Sequence, residues 1–173
     1  MYVNWTRTIL DGLAMAAYFN LFAAAVALYK PRLMFPSYPP AIIKAAEEPP
    51  TKAENRFYWL WICFGEWIPL LLYGAVSTVE GGTTGFWRLA LTGYIQWMIV
   101  NVCDLLFLDL WLIQKKAKRR FVIPGTEGHP GYGFNAWMKS YALPEHLLQW
   151  PLFLCTLMAA IQAGLGLILA MPW

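Results

Sequence analysis

The chain has 173 residues, 59% of them apolar and only 13% charged, with a formal net charge of +3. A soluble domain carries roughly a quarter charged residues, and a disordered chain needs low hydrophobicity with high net charge, so both classes are excluded. The 13 basic residues flank hydrophobic stretches and do not line one exposed face, which excludes nucleic acid as a partner and makes the lipid bilayer the expected one.

A bilayer core about 30 Å thick needs about 20 apolar residues of helix, and four stretches meet that length. The first runs over about 8–29 and ends at Lys30-Pro31-Arg32. Its Ala25-Val26-Ala27 looks like a small-residue cleavage site, but Asp11 and Asn20 interrupt the apolar run, so it reads as a retained helix. The loop over 30–56 is rich in proline and mixed charge; it predicts extended backbone with a short interfacial turn around Ala41 to Ala46.

The second stretch, about 57–79, stops at Glu80-Gly81-Gly82, and the third, about 89–113, stops at the basic run from Lys115 to Arg120. The loop over 114–146 holds a Pro124-Gly125 step that favours a type II turn, followed by Trp137 and Tyr141, which suit a segment lying on the membrane surface. The fourth stretch, about 147–171, stops at Pro172. Pro69 and Pro151 are expected to bend their helices.

Five Lys and Arg residues in the first long loop and six in the other place both on the cytoplasmic side, with both termini outside, in a bacterial inner membrane. Trp5, Trp59, Trp61, Trp87, Trp111, Trp150 and Trp173 fall near segment ends, where indoles favour headgroups. The fold expected is all-α: one transmembrane domain over 1–173, a four-helix bundle. Cys63, Cys103 and Cys155 lie inside apolar runs without metal spacing, so neither disulfide nor structural zinc is expected.

Polar side chains at the bilayer centre are functional-site hypotheses. At a rise of about 1.5 Å per residue, Asn20, Glu66, Asn101, Asp104 and Gln162 all fall within about 5 Å of the midplane. Glu66 and Asp104 form the centre of this layer, as a pair that shares a proton, binds a cation, or simply hydrogen-bonds as structural glue. Asn101 and Asp104 share a helix face, whereas Asp109 falls about 140° further round, with Arg119 or Arg120 as its expected partner. His129 and His146 are placed near the cytoplasmic edge, away from the acidic pair, so no metal site is proposed. A second candidate group, Arg119, Arg120, Glu127 and His129, lies in a Gly-rich loop near the headgroups. Dinucleotide, Walker, GxSxG and HExxH motifs are missing, so the cofactor stays unassigned.

The run Asn101 to Trp111 followed by Phe121 to Gly128 resembles a group of small, uncharacterised bacterial multipass membrane proteins with an NxxDLLxxDW helix before a PGTE loop. The resemblance runs from Asn101 to Gly128, departs at the basic spacer and at His129-Pro130, and implies a structural unit without implying a reaction.

Two function classes follow. One is a protein that binds or moves a proton, a cation or a small polar or lipid ligand at Glu66 and Asp104. The other is a membrane-embedded enzyme acting on a lipid or isoprenoid-like substrate through Asp109, Glu127 and His129; an accessory subunit of a larger complex is a further alternative. Ala159, Ala160, Ala163, Gly164 and Gly166 form a small-residue face expected to serve self-association, or else to admit the first helix at Ala23 to Ala25.

Overall fold

The computed structural model describes residues 3–171, so the expected stop at Pro172 and the interfacial Trp173 lie outside the described residues. Four helices are long and apolar enough to cross a membrane: α1 (Trp5–Tyr29), α3 (Lys52–Glu80), α4 (Phe86–Lys116) and α5 (Phe134–Leu169). A short helix, α2 (Pro40–Ala45), lies in the first long loop, where the interfacial turn is expected. Among the described residues the fold is an all-α four-helix bundle without strands.

Local chemistry sets the helix starts. The Asn4 side chain accepts the Arg7 N–H at 3.0 Å and caps α1. Thr51 and Glu54 form a reciprocal capping box that starts α3 five residues before the expected 57. Gly85, at φ 82°, turns the chain into α4.

α1 packs along α4, α4 along α5, and α3 along α5. Glycines permit these approaches: a Cβ on Gly12 would lie 2.7 Å from Ile99 Cδ1, and one on Gly93 would lie 3.3 Å from the Ala159 Cα. Met15, Phe19, Leu70, Trp97, Val100 and Met158 fill the central core between them. The small face of α5 is therefore divided. Ala159 and Ala163 are buried, and Gly166 is spent against Leu89 of α4, not against α1; Ala160 is exposed, and a Cβ on Gly164 would meet nothing within 4 Å.

The expectation for the fourth segment needs correction. α5 begins at Phe134, not Leu147, and is 36 residues long, about 54 Å at helical rise and well beyond a bilayer core. Lys139, Glu145 and His146 lower the hydropathy of this first part. Yet Trp137, Met138, Ala142 and His146 are all buried, a stripe at helical spacing that a hydropathy window averages away.

Trp137 and Tyr141 do not lie on a surface either. Trp137 belongs to a second apolar core with Phe35, Tyr38, Ile42, Ile123 and Tyr132, and Tyr141 packs against that core. The long loops are thus folded over one end of the bundle. A 3-10 helix over Pro31–Ser37 replaces much of the extended backbone expected there. Two turns follow each other, Thr126 N–H to Ile123 O and His129 N–H to Thr126 O, with Gly125 at φ 83° and Gly128 at φ 78° supplying the left-handed corners.

The proline in α3 has a visible consequence. Pro69 has no N–H to offer the Gly65 carbonyl one turn earlier, and the Tyr18 hydroxyl of α1 donates to that carbonyl at 2.7 Å.

Candidate functional site

At the loop end the long helices part around a cavity of about 150 Å³. Four carboxylates line it: Glu66 from α3, Asp104 and Asp109 from α4, and Glu145 from α5. Its single imidazole is His146, and Phe19, Tyr58, Trp67, Trp137, Tyr141 and Trp150 supply the aromatic wall. Tyr38 and Phe121 close it from the loops. Burial pushes the Tyr38 hydroxyl up from the ordinary phenol range, and it donates to the Phe121 carbonyl at 2.8 Å. Nearby, Arg32 bonds Glu54 through Nε at 2.6 Å, which raises the guanidinium further and anchors the first loop to the start of α3.

His146 is the hub. Asn101 Nδ2 donates to the His146 carbonyl at 2.8 Å, which turns Asn101 Oδ1 toward His146 Nδ1 at 2.7 Å and makes Nδ1 the proton-bearing nitrogen. The other ring nitrogen, Nε2, lies 3.0 Å from Asp109 Oδ2. Asp109 Oδ1 accepts the Trp137 indole N–H at 2.6 Å, and Asp104 Oδ2 stands 3.9 Å from His146 Nε2.

Glu66 differs from its neighbours. It is 1% exposed, and its Oε1 is buried with no hydrogen-bond partner. Glu145 Oε1 accepts the Trp150 indole N–H at 3.3 Å, and the Tyr141 hydroxyl donates to the Ser37 carbonyl at 2.5 Å, tying α5 to the loop. No Lys or Arg lines the cavity. Four acids thus share one imidazole and no Lys or Arg in the lining, and a buried charge left uncompensated costs several kcal/mol.

The backbone around this cavity is π-helical. Such turns run over Ile62–Trp67, Leu105–Lys116, Met138–Ala142 and Glu145–Leu154, and they carry Glu66, Asp109, Tyr141, Glu145, His146 and Trp150. This geometry ordinarily appears as a single-turn bulge, often at functional sites; here one stretch is 12 residues long. An i to i+5 ladder stacks residues five apart on one face. Asp104 and Asp109, opposed by 140° on an ideal α-helix (about 100° per residue), therefore reach the same chamber. Glu145 and Trp150 meet for the same reason.

Several expectations change. His146 is not at an edge remote from the acids but bonded to Asp109 and beside Asp104. Asp109 pairs with His146 and Trp137, while Arg119 and Arg120 are exposed on a 3-10 turn. Glu66 and Asp104 share the cavity, but no hydrogen bond joins them. Trp150 lies midway along α5, edge-on to Phe19 and 5.8 Å away, not at a segment end.

The expected polar layer is split. Asn20 donates to Ala16 O at 2.8 Å and borders a separate groove beside Cys103 and Phe107. Gln162 bonds Gln96 Oε1 at 2.6 Å and receives the Trp97 indole N–H at 3.1 Å. Both lie outside the chamber's lining. Glu127 is exposed, and His129 Nδ1 accepts the Gly131 N–H at 3.0 Å, so neither is brought to Asp109. Among the described residues no three His, Cys, Asp or Glu side chains converge as metal ligands.

Sequence reasoning missed Glu145, Tyr58, Trp67 and Gln96, and gave His146, Trp137 and Tyr141 the wrong surroundings. Spacings of four to five between Trp137, Tyr141, His146 and Trp150 carried the signal. A second polar network lies at the opposite end: Asp11 accepts the Ser77 hydroxyl at 2.5 Å and the Tyr73 hydroxyl at 3.0 Å, and Arg7 bonds Ser77 at 3.0 Å and Glu80 at 2.8 Å. That network sets an arginine beside its acids, whereas no Lys or Arg lines the chamber.

Comparison of the chain with protein-family models finds no match, and comparisons with curated proteins and with solved structures find none either.

Proposed function

We propose that this integral membrane protein binds a cation in its acidic chamber, in exchange with a proton. The observation that carries the reading is Glu66: a carboxyl 1% exposed, with an unpartnered oxygen, lining a cavity that it shares with three other acids and no Lys or Arg. A buried carboxylate without a counter-charge takes up a proton, and a bound cation removes the need for it. The loops over the chamber and the helix ends that meet them carry eleven of the 13 Lys and Arg, so the positive-inside rule puts the chamber in the cytoplasmic half of a bacterial inner membrane, with both termini outside.

The membrane-enzyme reading, through Asp109, Glu127 and His129, draws less support, since Asp109 is bonded to Trp137 and His146 while Glu127 is exposed and His129 accepts the Gly131 N–H. The test is proton release from purified protein in weakly buffered detergent on addition of monovalent cations, with tryptophan fluorescence recorded in parallel. Glu66→Gln is expected to abolish the release. A folded Glu66→Gln protein that releases protons as before refutes the proposal.

A further inference from the structure

We infer that the cation is an organic ammonium ion of about six to ten non-hydrogen atoms, a conclusion that rests on the reading above and narrows it to a ligand class. Size comes first. A cavity of about 150 Å³ accommodates a benzene-sized molecule.

The wall chemistry then separates the kinds of cation. A small inorganic ion loses its hydration shell on entry and needs several oxygens converging on one point. Here Glu66 leaves one oxygen unpartnered, Asp109 is occupied by Trp137 and His146, and no three acidic or imidazole side chains converge. An ammonium carrying carbon substituents is held differently. Its charge faces one carboxylate while its body lies against aromatic rings, whose faces attract cations. Trp67 flanks Glu66 in sequence, Trp150 and Phe19 pack edge-on against each other in the lining, and Tyr58 and Tyr141 complete the wall. An anion is repelled by the four acids, and a neutral molecule offers Glu66 Oε1 at most an uncharged hydrogen bond, weaker than one from an ammonium.

Charge balance fixes the proton count. In the empty chamber the Glu66 carboxyl keeps its proton; when the ammonium arrives, the O–H bond breaks, the carboxylate pairs with the cation, and one proton leaves for solvent. The net charge of the chamber is unchanged. The titratable groups that line the cavity with Glu66 are Tyr58 from its own helix, Asp104 and Asp109 from α4, Tyr141, Glu145 and His146 from α5, and Tyr38 from the loop. Because the ligand binds the deprotonated acid, raising the pH removes the competing proton. Affinity therefore climbs about tenfold per pH unit until Glu66 is ionised in the empty protein, and then levels.

The test uses the full chain in mild detergent with three probes: benzylammonium, its neutral isostere benzyl alcohol, and sodium. Binding is read by tryptophan fluorescence and by proton release. Benzylammonium is expected to bind at least about tenfold more tightly than benzyl alcohol, the margin of a charged hydrogen bond, releasing one proton per site. Glu66→Gln should erase that margin, and Glu66→Asp should restore part of it. Should Glu66→Gln fail to fold, the isostere margin and the pH slope of the wild-type protein decide alone. Sodium-driven proton release with no benzylammonium preference overturns this inference and leaves the broader cation reading standing. No release with any probe sinks both.

Discussion

Asn101→Ala is the sharpest probe of the hub. The substitution removes two contacts: Nδ2 to the His146 carbonyl at 2.8 Å, and Oδ1 to His146 Nδ1 at 2.7 Å. Interhelical hydrogen bonds within membranes are worth about 0.6 kcal/mol on average and about 1.7 kcal/mol at most. Two of them give a loss of about 1.2 to 3.4 kcal/mol, and the upper half is expected because Asn101 is 1% and His146 3% exposed, with no water to replace the partner. A double-mutant cycle with His146→Ala separates the terms. The carbonyl contact survives loss of the imidazole, so the coupling energy measures only the ring contact, about 0.6 to 1.7 kcal/mol. The assay is unfolding in mixed micelles by increasing SDS fraction, followed by circular dichroism. A coupling energy below about 0.3 kcal/mol, inside the scatter of independent sites, with all variants folded, would refute the arrangement that fixes the His146 proton on Nδ1.

Tyr18→Phe is expected to lose about 1 kcal/mol in the same assay, because the Gly65 carbonyl that it serves faces Pro69; in a Pro69→Ala background, where a backbone N–H returns, the loss should shrink, and an unchanged loss would disprove the link. Gly164→Leu should fold normally, since its side chain enters open space, whereas Gly93→Ala should lower the unfolding midpoint through its 3.3 Å approach to the Ala159 Cα; equal midpoints would contradict the packing of α4 on α5. If Gly164→Leu with Ala160→Leu converts an oligomer to a monomer while keeping the fold, the exposed half of that face is an association surface. Cysteines placed at Arg56 and Lys116 should label from one side of sealed vesicles and one at Thr84 from the other; a mixed pattern for Arg56 and Lys116 would break the topology.

Composition and hydropathy were enough for four membrane-length helices, because burying apolar side chains in lipid depends on a local sum over about 20 residues. The stops read at Lys30, at Glu80 and at the basic run from Lys115 to Arg120 fall close to helix ends at Tyr29, Glu80 and Lys116. Single residues were legible too: Asn20, Glu66, Asn101, Asp104 and Gln162 are all buried, as ionisable and amide groups inside an apolar helix must be when they turn away from lipid. Their grouping was not legible. It depends on helical register, and an ideal α-helix sends Asp104 and Asp109 apart, whereas the π-helical turns over Leu105–Lys116 bring them to one chamber. Nor did hydropathy reveal the first third of α5, where Lys139, Glu145 and His146 mask a buried stripe. In that stripe the folded loops cover Trp137, and Asp109, 28 residues earlier in the chain, accepts its indole N–H. A pattern of charge along the chain decides which segments enter the membrane; which acids then face one another is decided by helix register and by loops packing from a distance, and only the tertiary structure carries both.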